Sequence, residues 1–176
     1  FDGVVTAGAW NPLYLGITNL GDPLTGTLTL SATLAPGRPG ERTTYTVSTP
    51  LNVAAGESFD RRYLLPAPRG SLPLLLRVNR EGETLLEQEI SPPLRYAPDH
   101  LIVAVSQRSV ASEGNLPIRY PLMEHLPERW IGYTPVALLI LGDPPLERLT
   151  LKQWQALERW LRYGGRLLVP PSPTRS

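Results

Sequence analysis

The segment 136–170 constrains the fold more strongly than any other part of this sequence. Residues 136–141 (VALLIL) form an uninterrupted apolar run of strand length, which is typical of a strand covered on both faces in a parallel sheet. A second short apolar run follows at 166–169 (RLLV). The residues between the two runs have the period of a helix, so the segment predicts a right-handed strand–helix–strand crossover.

Both ends of this helix are marked by residues that start and stop helices. Thr150 predicts the N-cap, and Gln153 three positions later completes a capping box. Gly164 supplies the left-handed residue that ends a helix. An apolar stripe at helical spacing is expected to face the sheet, which disfavours the alternative of a tryptophan ligand platform; the stripe consists of Leu151, Trp154, Leu157, Trp160 and Leu161.

Composition narrows the functional classes. The 176 residues allow one large domain or two small ones, and a net charge of +1 argues against the basic footprint of a nucleic-acid binder. Without cysteine there is no disulfide framework, thiolate nucleophile or cysteine-based metal site. No stretch reaches the length of a membrane span. Because the sequence begins at Phe1 and stops after a core strand, we expect a fragment of a longer protein from which a signal peptide or leader has been removed.

The N-terminal half contains only short alternating runs between turn residues. Six runs predict strands, and Glu81-Gly82 predicts a tight hairpin turn between the last two. About seven short strands at this spacing are typical of a β-sandwich of roughly immunoglobulin size. The runs are 10–18, 26–32, 42–48, 58–65, 73–79 and 84–90.

Two motifs in this half carry a family resemblance. Residues 8–30 (GAWNPLYLGITNLGDPLTGTLTL) place an Asn-x-Gly turn after a long strand, and residues 51–67 (LNVAAGESFDRRYLLPA) place Gly-Glu-Ser before a strand. Together they resemble the bacterial Ig-like domains of cell-surface and periplasmic proteins, over roughly residues 5–95. The resemblance implies a spacer or an interaction module.

A proline-rich stretch separates the two halves. Residues 91–99 (SPPLRYAPD) contain three prolines and no periodic pattern, which is typical of a linker. We therefore predict an Ig-like β-sandwich over 1–96 and a partial α/β domain over 97–176. The second domain begins with the apolar strand 100–106 (HLIVAVS).

The second half has its own resemblance. The motifs LIVAVS, GYTPVALLILGD and LTLKQWQALERWLRYGGRLLV resemble the class I glutamine-amidotransferase-like, flavodoxin-like fold of bacterial membrane-anchored proteins of unknown function. The resemblance implies a three-layer α/β domain with a parallel sheet, helices on both faces and further strands beyond Ser176. Active relatives use a cysteine nucleophile, and this sequence has none.

Open parallel sheets bind ligands beyond the carboxyl ends of their strands. Five residues at the ends of the three predicted strands are therefore the candidate ligand-binding residues: Ser106, Gln107, Arg108, Asp143 and Ser172. The alternative interpretation is that Asp143 caps a turn and that the others are solvated loop residues, which we consider the more common outcome for such positions.

Other combinations of reactive residues give weaker evidence for a functional site. Asp99, His100 and Ser106 have the residue types of a hydrolase triad, but a strand separates His100 from Ser106 by roughly 20 Å. His125, with Glu124 and Glu128 nearby, is one histidine among residues expected at the surface. No glycine-rich phosphate loop follows a strand, so a nucleotide site is not expected.

These observations favour a non-catalytic, extracytoplasmic scaffold or interaction module, periplasmic or at the cell surface. We predict an unknown protein partner, no nucleic acid, no metal and no cofactor, with membrane attachment only through segments outside this sequence. One alternative is a ligand-binding or sensory domain that uses the strand-end crevice. Another is a hydrolase that uses Ser106 or Asp143, which would require a base within hydrogen-bond reach.

Overall fold

The computed structural model describes residues 1, 4–34, 43–67, 73–91, 95–97, 101–106, 118–142 and 146–170. Contacts divide the chain into two compact units. The mixed unit combines Phe1–Asn11 with Arg95–Ser176, and the all-β unit is Pro12–Leu94. The chain therefore starts in the mixed unit, leaves it for the all-β unit and returns. The prediction of one domain over 1–96 and another over 97–176 stays a prediction, and no sequence pattern indicated the change of unit near residue 11.

Strands form most of the secondary structure in the described residues, together with helix α1 (Leu151–Arg162) and 3-10 turns at Met123–His125, Trp130–Tyr133 and Leu146–Arg148. The chain is thus predominantly β, with one parallel sheet and a helix, in the coarse outline that the sequence predicts. The strands are β1 (Val4–Thr6), β2 (Trp10–Thr18), β3 (Leu24–Leu34), β4 (Thr43–Val53), β5 (Ser58–Pro66), β6 (Leu74–Arg80), β7 (Glu83–Ile90), β8 (Arg95–Ala97), β9 (Leu101–Ser106), β10 (Ile118–Arg119), β11 (Val136–Gly142) and β12 (Leu167–Leu168).

In the all-β unit, a larger and a smaller sheet share one hydrophobic core. The larger sheet is antiparallel with strand order β4-β3-β6-β7, and the smaller sheet pairs β2 with β5. Leu28, Leu30 and Ala32 on β3 are completely buried, and Phe59 and Tyr63 on β5 join the same cluster. Four strands on one side and two on the other make the two layers unequal in width.

The alternation of residues along β3 explains its orientation. Its buried leucines alternate with small hydroxyl residues, which lie on the outer face of the sheet. These hydroxyls meet hydroxyls of β4 at 3.1 to 3.3 Å, a cross-strand pairing that stabilises a solvated sheet face. The pairs are Thr29–Ser48, Ser31–Thr46 and Thr33–Thr44.

The hairpin between β6 and β7 has the predicted two-residue turn. Glu81 has φ of 53° and Gly82 has φ of 89°. Positive φ at both central residues is the geometry that matches the twist of a hairpin. The turn that the sequence predicts at Glu81-Gly82 is therefore confirmed.

The main sheet of the mixed unit is parallel, in the order β10-β9-β11-β12. Val103 and Leu139 are completely buried in its centre, as expected for continuous apolar strands. The predicted strands at 100–106, 136–141 and 166–169 correspond to β9, β11 and β12, and α1 connects the last two. The strand–helix–strand prediction is confirmed.

Helix α1 begins and ends where the sequence predicts. The Thr150 hydroxyl accepts a hydrogen bond from the Gln153 amide at 3.2 Å, and the Gln153 side-chain oxygen accepts one from the Thr150 amide at 2.9 Å. This reciprocal pair is the capping box. Gly164, with φ of 92°, takes the left-handed conformation after the helix.

The buried face of α1 differs from the predicted stripe. Leu151 and Trp154 were expected to face the sheet, but they are 73% and 41% exposed. Gln153 and Ala156 are buried instead, together with Leu157 and Trp160 as predicted. The physical reason is that the Gln153 amide donates hydrogen bonds to the carbonyls of the 123–126 segment, which turns that side of the first helical turn inward.

A second, two-stranded sheet pairs β1 with β8 in parallel, from Val4↔Arg95 to Thr6↔Ala97. The stretch predicted as an unpatterned linker therefore contains a short strand. Asn11, which is buried, closes the turn after β1: its amide donates to the Thr6 and Ala9 carbonyls, and its oxygen accepts from the Thr6 amide at 2.9 Å. Among the described residues, none of the helices has the length and apolar character needed to cross a membrane.

Candidate functional site

The strand ends at which the sequence predicts a ligand-binding crevice are described only in part. Ser106 at the end of β9 lies opposite Gly142 at the end of β11, as the parallel register requires. A Cβ atom at Gly142 would lie 3.0 Å from the Ser106 hydroxyl oxygen, so the glycine allows these two strand ends to approach. Gln107, Arg108, Asp143 and Ser172 lie outside the described residues. The ligand-binding role of these five residues therefore stays a prediction.

The other sequence candidates do not form a site in the described part of the chain. His125 is half-buried at the end of a 3-10 turn, whereas Glu124 and Glu128 are exposed. Within the described ranges, no group of three or more His, Cys, Asp or Glu residues could hold a metal ion. Asp99 and His100 lie outside those ranges.

The tryptophans of α1 have different environments. Trp160 is buried and stacks on Tyr133 with ring centroids 5.3 Å apart, whereas Trp154 is partly exposed. Burial raises the pKa of the Tyr133 phenol above its ordinary range. Its hydroxyl has no hydrogen-bond partner among the described residues. Tyr133 and Trp160 therefore belong to the core of the mixed unit, and the two helix tryptophans do not form a common platform.

An aromatic group lies at the surface near the end of α1. Trp130 stacks on the exposed Tyr163 at 4.7 Å, and the Arg159 guanidinium lies 5.9 Å from the Trp130 ring centre. A shallow cavity of about 290 Å³ lies beside Tyr163, and it is lined by charged helix residues such as Glu158 and Arg162. Because these two side chains form an ion pair at 2.6 Å, much of the lining charge is already neutralised.

The all-β unit has a more apolar opening between its two sheets. A cavity of about 240 Å³ lies at one end of the core, where β2 ends and β7 begins. Its lining is almost entirely aliphatic and includes Ile17, Leu24, Val78, Leu85 and Leu86. Leu85 and Leu86 on β7 are 37% and 44% exposed, although leucine is typically buried. This opening exposes part of the core to solvent.

The position of the smaller sheet explains the opening. Tyr63 on β5 donates a hydrogen bond to Thr49 on β4 at 3.3 Å, so β5 lies against the β4 edge of the larger sheet. Of the strands that the structure describes, β2 alone remains to cover the side toward β7. Register with β6 places Leu86 opposite Val78 and Gln88 opposite Leu76 on the inner face, yet Leu86 and Gln88 are both exposed. The two described strands of the smaller sheet are too few to cover the inner face of the four-stranded sheet.

The candidate functional site is therefore the β7 surface, defined here as the residues from Leu85 to Ile90 with the adjoining 240 Å³ cavity. On its outer face, Glu87 and Glu89 are exposed, and Glu87 pairs with Arg77 at 2.6 Å. The sequence predicted this strand but not its exposure. The available signal is ETLLEQEI, which has glutamates and an irregular apolar pattern where a covered strand would alternate.

No family model and no curated protein matches the chain. Among solved structures, it is similar to a cycloisomaltooligosaccharide glucanotransferase from Paenibacillus sp., at 11% identity and a TM-score of 0.32, over 93% of this chain and 26% of that one. It is also similar to a calcium-binding mutant of Bacteroides uniformis beta-glucuronidase 2, at 13% identity and a TM-score of 0.31, over 96% of this chain and 23% of that one. The chain thus spans about a quarter of each.

Proposed function

We propose that this chain is a non-catalytic interaction module, in which an Ig-like β-sandwich presents the β7 surface to a protein partner. The exposed Leu86 on the inner face of β7 carries the proposal. A partner that covered this aliphatic side chain would remove it from water, which stabilises the complex. We further propose that the intact protein is bacterial, membrane-anchored and extracytoplasmic, as the two family resemblances imply.

The chemistry of the β7 surface suits a polypeptide better than a small molecule. The cavity is small and aliphatic, and few polar groups converge on it to orient a ligand. The neighbouring strand edge instead offers backbone amides and carbonyls in a row, which extended peptides recognise. A partner that covers Leu85 and Leu86 would complete the core of the all-β unit.

The proposal can be tested by site-specific photo-cross-linking in the cells that make the protein. A benzophenone amino acid replaces Leu86, and a matched variant carries it at Thr27, which is exposed on the outer face of β3. We expect a defined adduct at position 86 that is missing at position 27, with the cross-linked peptide identified by mass spectrometry. Equal patterns at both positions, or no adduct at position 86, would overturn the proposal.

A further inference from the structure

Strand β7 lies at the edge of the larger sheet. One of its edges is hydrogen-bonded to β6, and within the described residues the sheet order ends there. The other edge of β7, which is its outer edge, carries backbone amides and carbonyls that point away from the sheet. An edge of this kind can accept another strand through main-chain hydrogen bonds.

The two faces of β7 differ in chemistry. Leu86 and Ile90 lie on the inner face, opposite Val78 and Leu74 of β6, whereas Glu87 and Glu89 lie on the outer face. Side chains of an added strand alternate between the same two faces. Those on the inner face would meet leucine beside the open core, and those on the outer face would meet carboxylates.

The charges of β7 argue against a second copy of this chain as the added strand. Residues directly opposite each other in paired strands share one face of the sheet. A β7–β7 pair that matches inner face with inner face therefore sets Glu87 and Glu89 of one copy against the glutamates of the other. Like charges in opposite positions destabilise a strand pair. The surface instead complements a strand with positively charged residues.

We infer that the partner supplies an extended segment in which apolar residues alternate with lysine or arginine, and that this segment adds to the outer edge of β7. Its apolar side chains cover Leu86 and its cations face Glu87 and Glu89. The inference rests on the proposed interaction function and adds to it the conformation and the charge of the partner segment.

Synthetic peptides of about eight residues, the length of β7, test this inference with the full 176-residue chain. The first peptide alternates valine and lysine, and the second alternates valine and glutamate. The third is the valine–lysine peptide with an N-methyl group on every amide, which removes the donors from both edges. Binding is measured by fluorescence polarisation of a dye on each peptide.

We expect the valine–lysine peptide to bind several-fold more tightly than the valine–glutamate peptide. The contact with Glu89 changes from attraction to repulsion between the two peptides, whereas Arg77 already neutralises much of the charge of Glu87. N-methylation should abolish binding. The double variant Glu87→Lys/Glu89→Lys should reverse the preference between the two charged peptides. The single variant Glu89→Lys, which keeps the Arg77–Glu87 pair, should weaken the preference for the valine–lysine peptide. The control variant Thr44→Lys/Thr46→Lys, on the outer face of β4, should leave that preference unchanged.

Equal affinity for both charged peptides, full binding of the N-methylated peptide or no binding of any peptide would overturn the inference. The two proposals fail separately. An adduct at position 86 with a partner segment that lacks alternating basic residues would support the interaction function and contradict the inferred strand addition. Absence of that adduct removes the interaction function itself.

Discussion

The two edges of the larger sheet in the all-β unit are covered to different extents. At the β4 edge, Leu51 is 1% exposed and the smaller sheet is tied to β4 through Tyr63 and Thr49. At the β7 edge, Leu86 also lies on the inner face but is 44% exposed. The same residue type therefore serves as core on one side and as surface on the other. An inward-facing position contributes stability only where the opposite layer reaches it.

The mixed unit contains a polar counterpart of this contrast. Gln153 is 1% exposed, and its side chain makes hydrogen bonds to the Thr150 amide and to the carbonyls of Met123 and Leu126 at 2.9 to 3.1 Å. Tyr133 is equally buried, but its hydroxyl has no hydrogen-bond partner among the described residues. In both units, therefore, how deeply a residue is buried and which contacts its side chain makes are separate properties.

Truncation of the two leucines gives the largest expected difference. Leu51→Ala should lower the free energy of unfolding by about 2–5 kcal/mol, because this side chain is almost completely buried. Leu86→Ala should lower it by less than about 1 kcal/mol, because much of this side chain is already in water. Urea unfolding followed by far-UV circular dichroism, with hydrogen exchange of the β3 amides, measures both. Similar losses for the two variants would show that the β7 edge is covered after all.

Replacement of the buried glutamine should have an intermediate effect. Gln153→Leu removes the hydrogen bonds of this side chain to the Thr150 amide and to the two carbonyls, which should lower the free energy of unfolding by about 1–3 kcal/mol. Tryptophan fluorescence is a suitable measurement, because all four tryptophans lie in the sequence ranges of the mixed unit. The control is Gln155→Leu, at an exposed position of the same helix. An equal loss in the control would contradict a special role of Gln153.

Removal of the buried hydroxyl should have the smallest effect, and in the opposite direction. Tyr133→Phe should raise the free energy of unfolding by up to about 1 kcal/mol, because it removes an unsatisfied polar group. Tyr163→Phe, at an exposed ring, is the matched control at neutral pH. A loss of stability in the Tyr133 variant would show that its hydroxyl has a partner in solution.

The same residue predicts a pH dependence. Burial raises the pKa of Tyr133 in the folded state above that of the unfolded state, which is about 10. The unfolded chain therefore releases this proton first, and stability falls as the pH rises above about 10. Tyr133→Phe should show a shallower decline over that range than the unsubstituted chain, as measured by urea unfolding at each pH.

Local signals explain what the sequence predicted well. The ends of α1 depend on Thr150, Gln153 and Gly164, which act within one helical turn, and the hairpin turn depends on Glu81 and Gly82 alone. The apolar runs of β9 and β11 indicated burial without knowledge of their partners. These features were read correctly because no distant residue decides them.

Long-range contacts explain what the sequence did not reveal. The three-residue strands β1 and β8 exist only because each pairs with the other, about ninety residues away along the chain. Leu151 and Trp154 fit the helical period, but the carbonyls of the 123–126 segment selected Gln153 for the buried face. The exposure of β7 depends on how many strands lie in the opposite sheet, which no local pattern records.

The pairing of β1 with β8 has a mechanical consequence. The two strands are parallel, and the all-β unit lies between them in the sequence. Tension applied to the chain before β1 and after β8 would pull these parallel strands past each other along their length, so their hydrogen bonds would be loaded together rather than one after another. The three residue pairs of this ladder would have to break before tension reached the strands of the all-β unit. While this ladder held, the all-β unit between β1 and β8, with its β7 surface, would carry none of that tension.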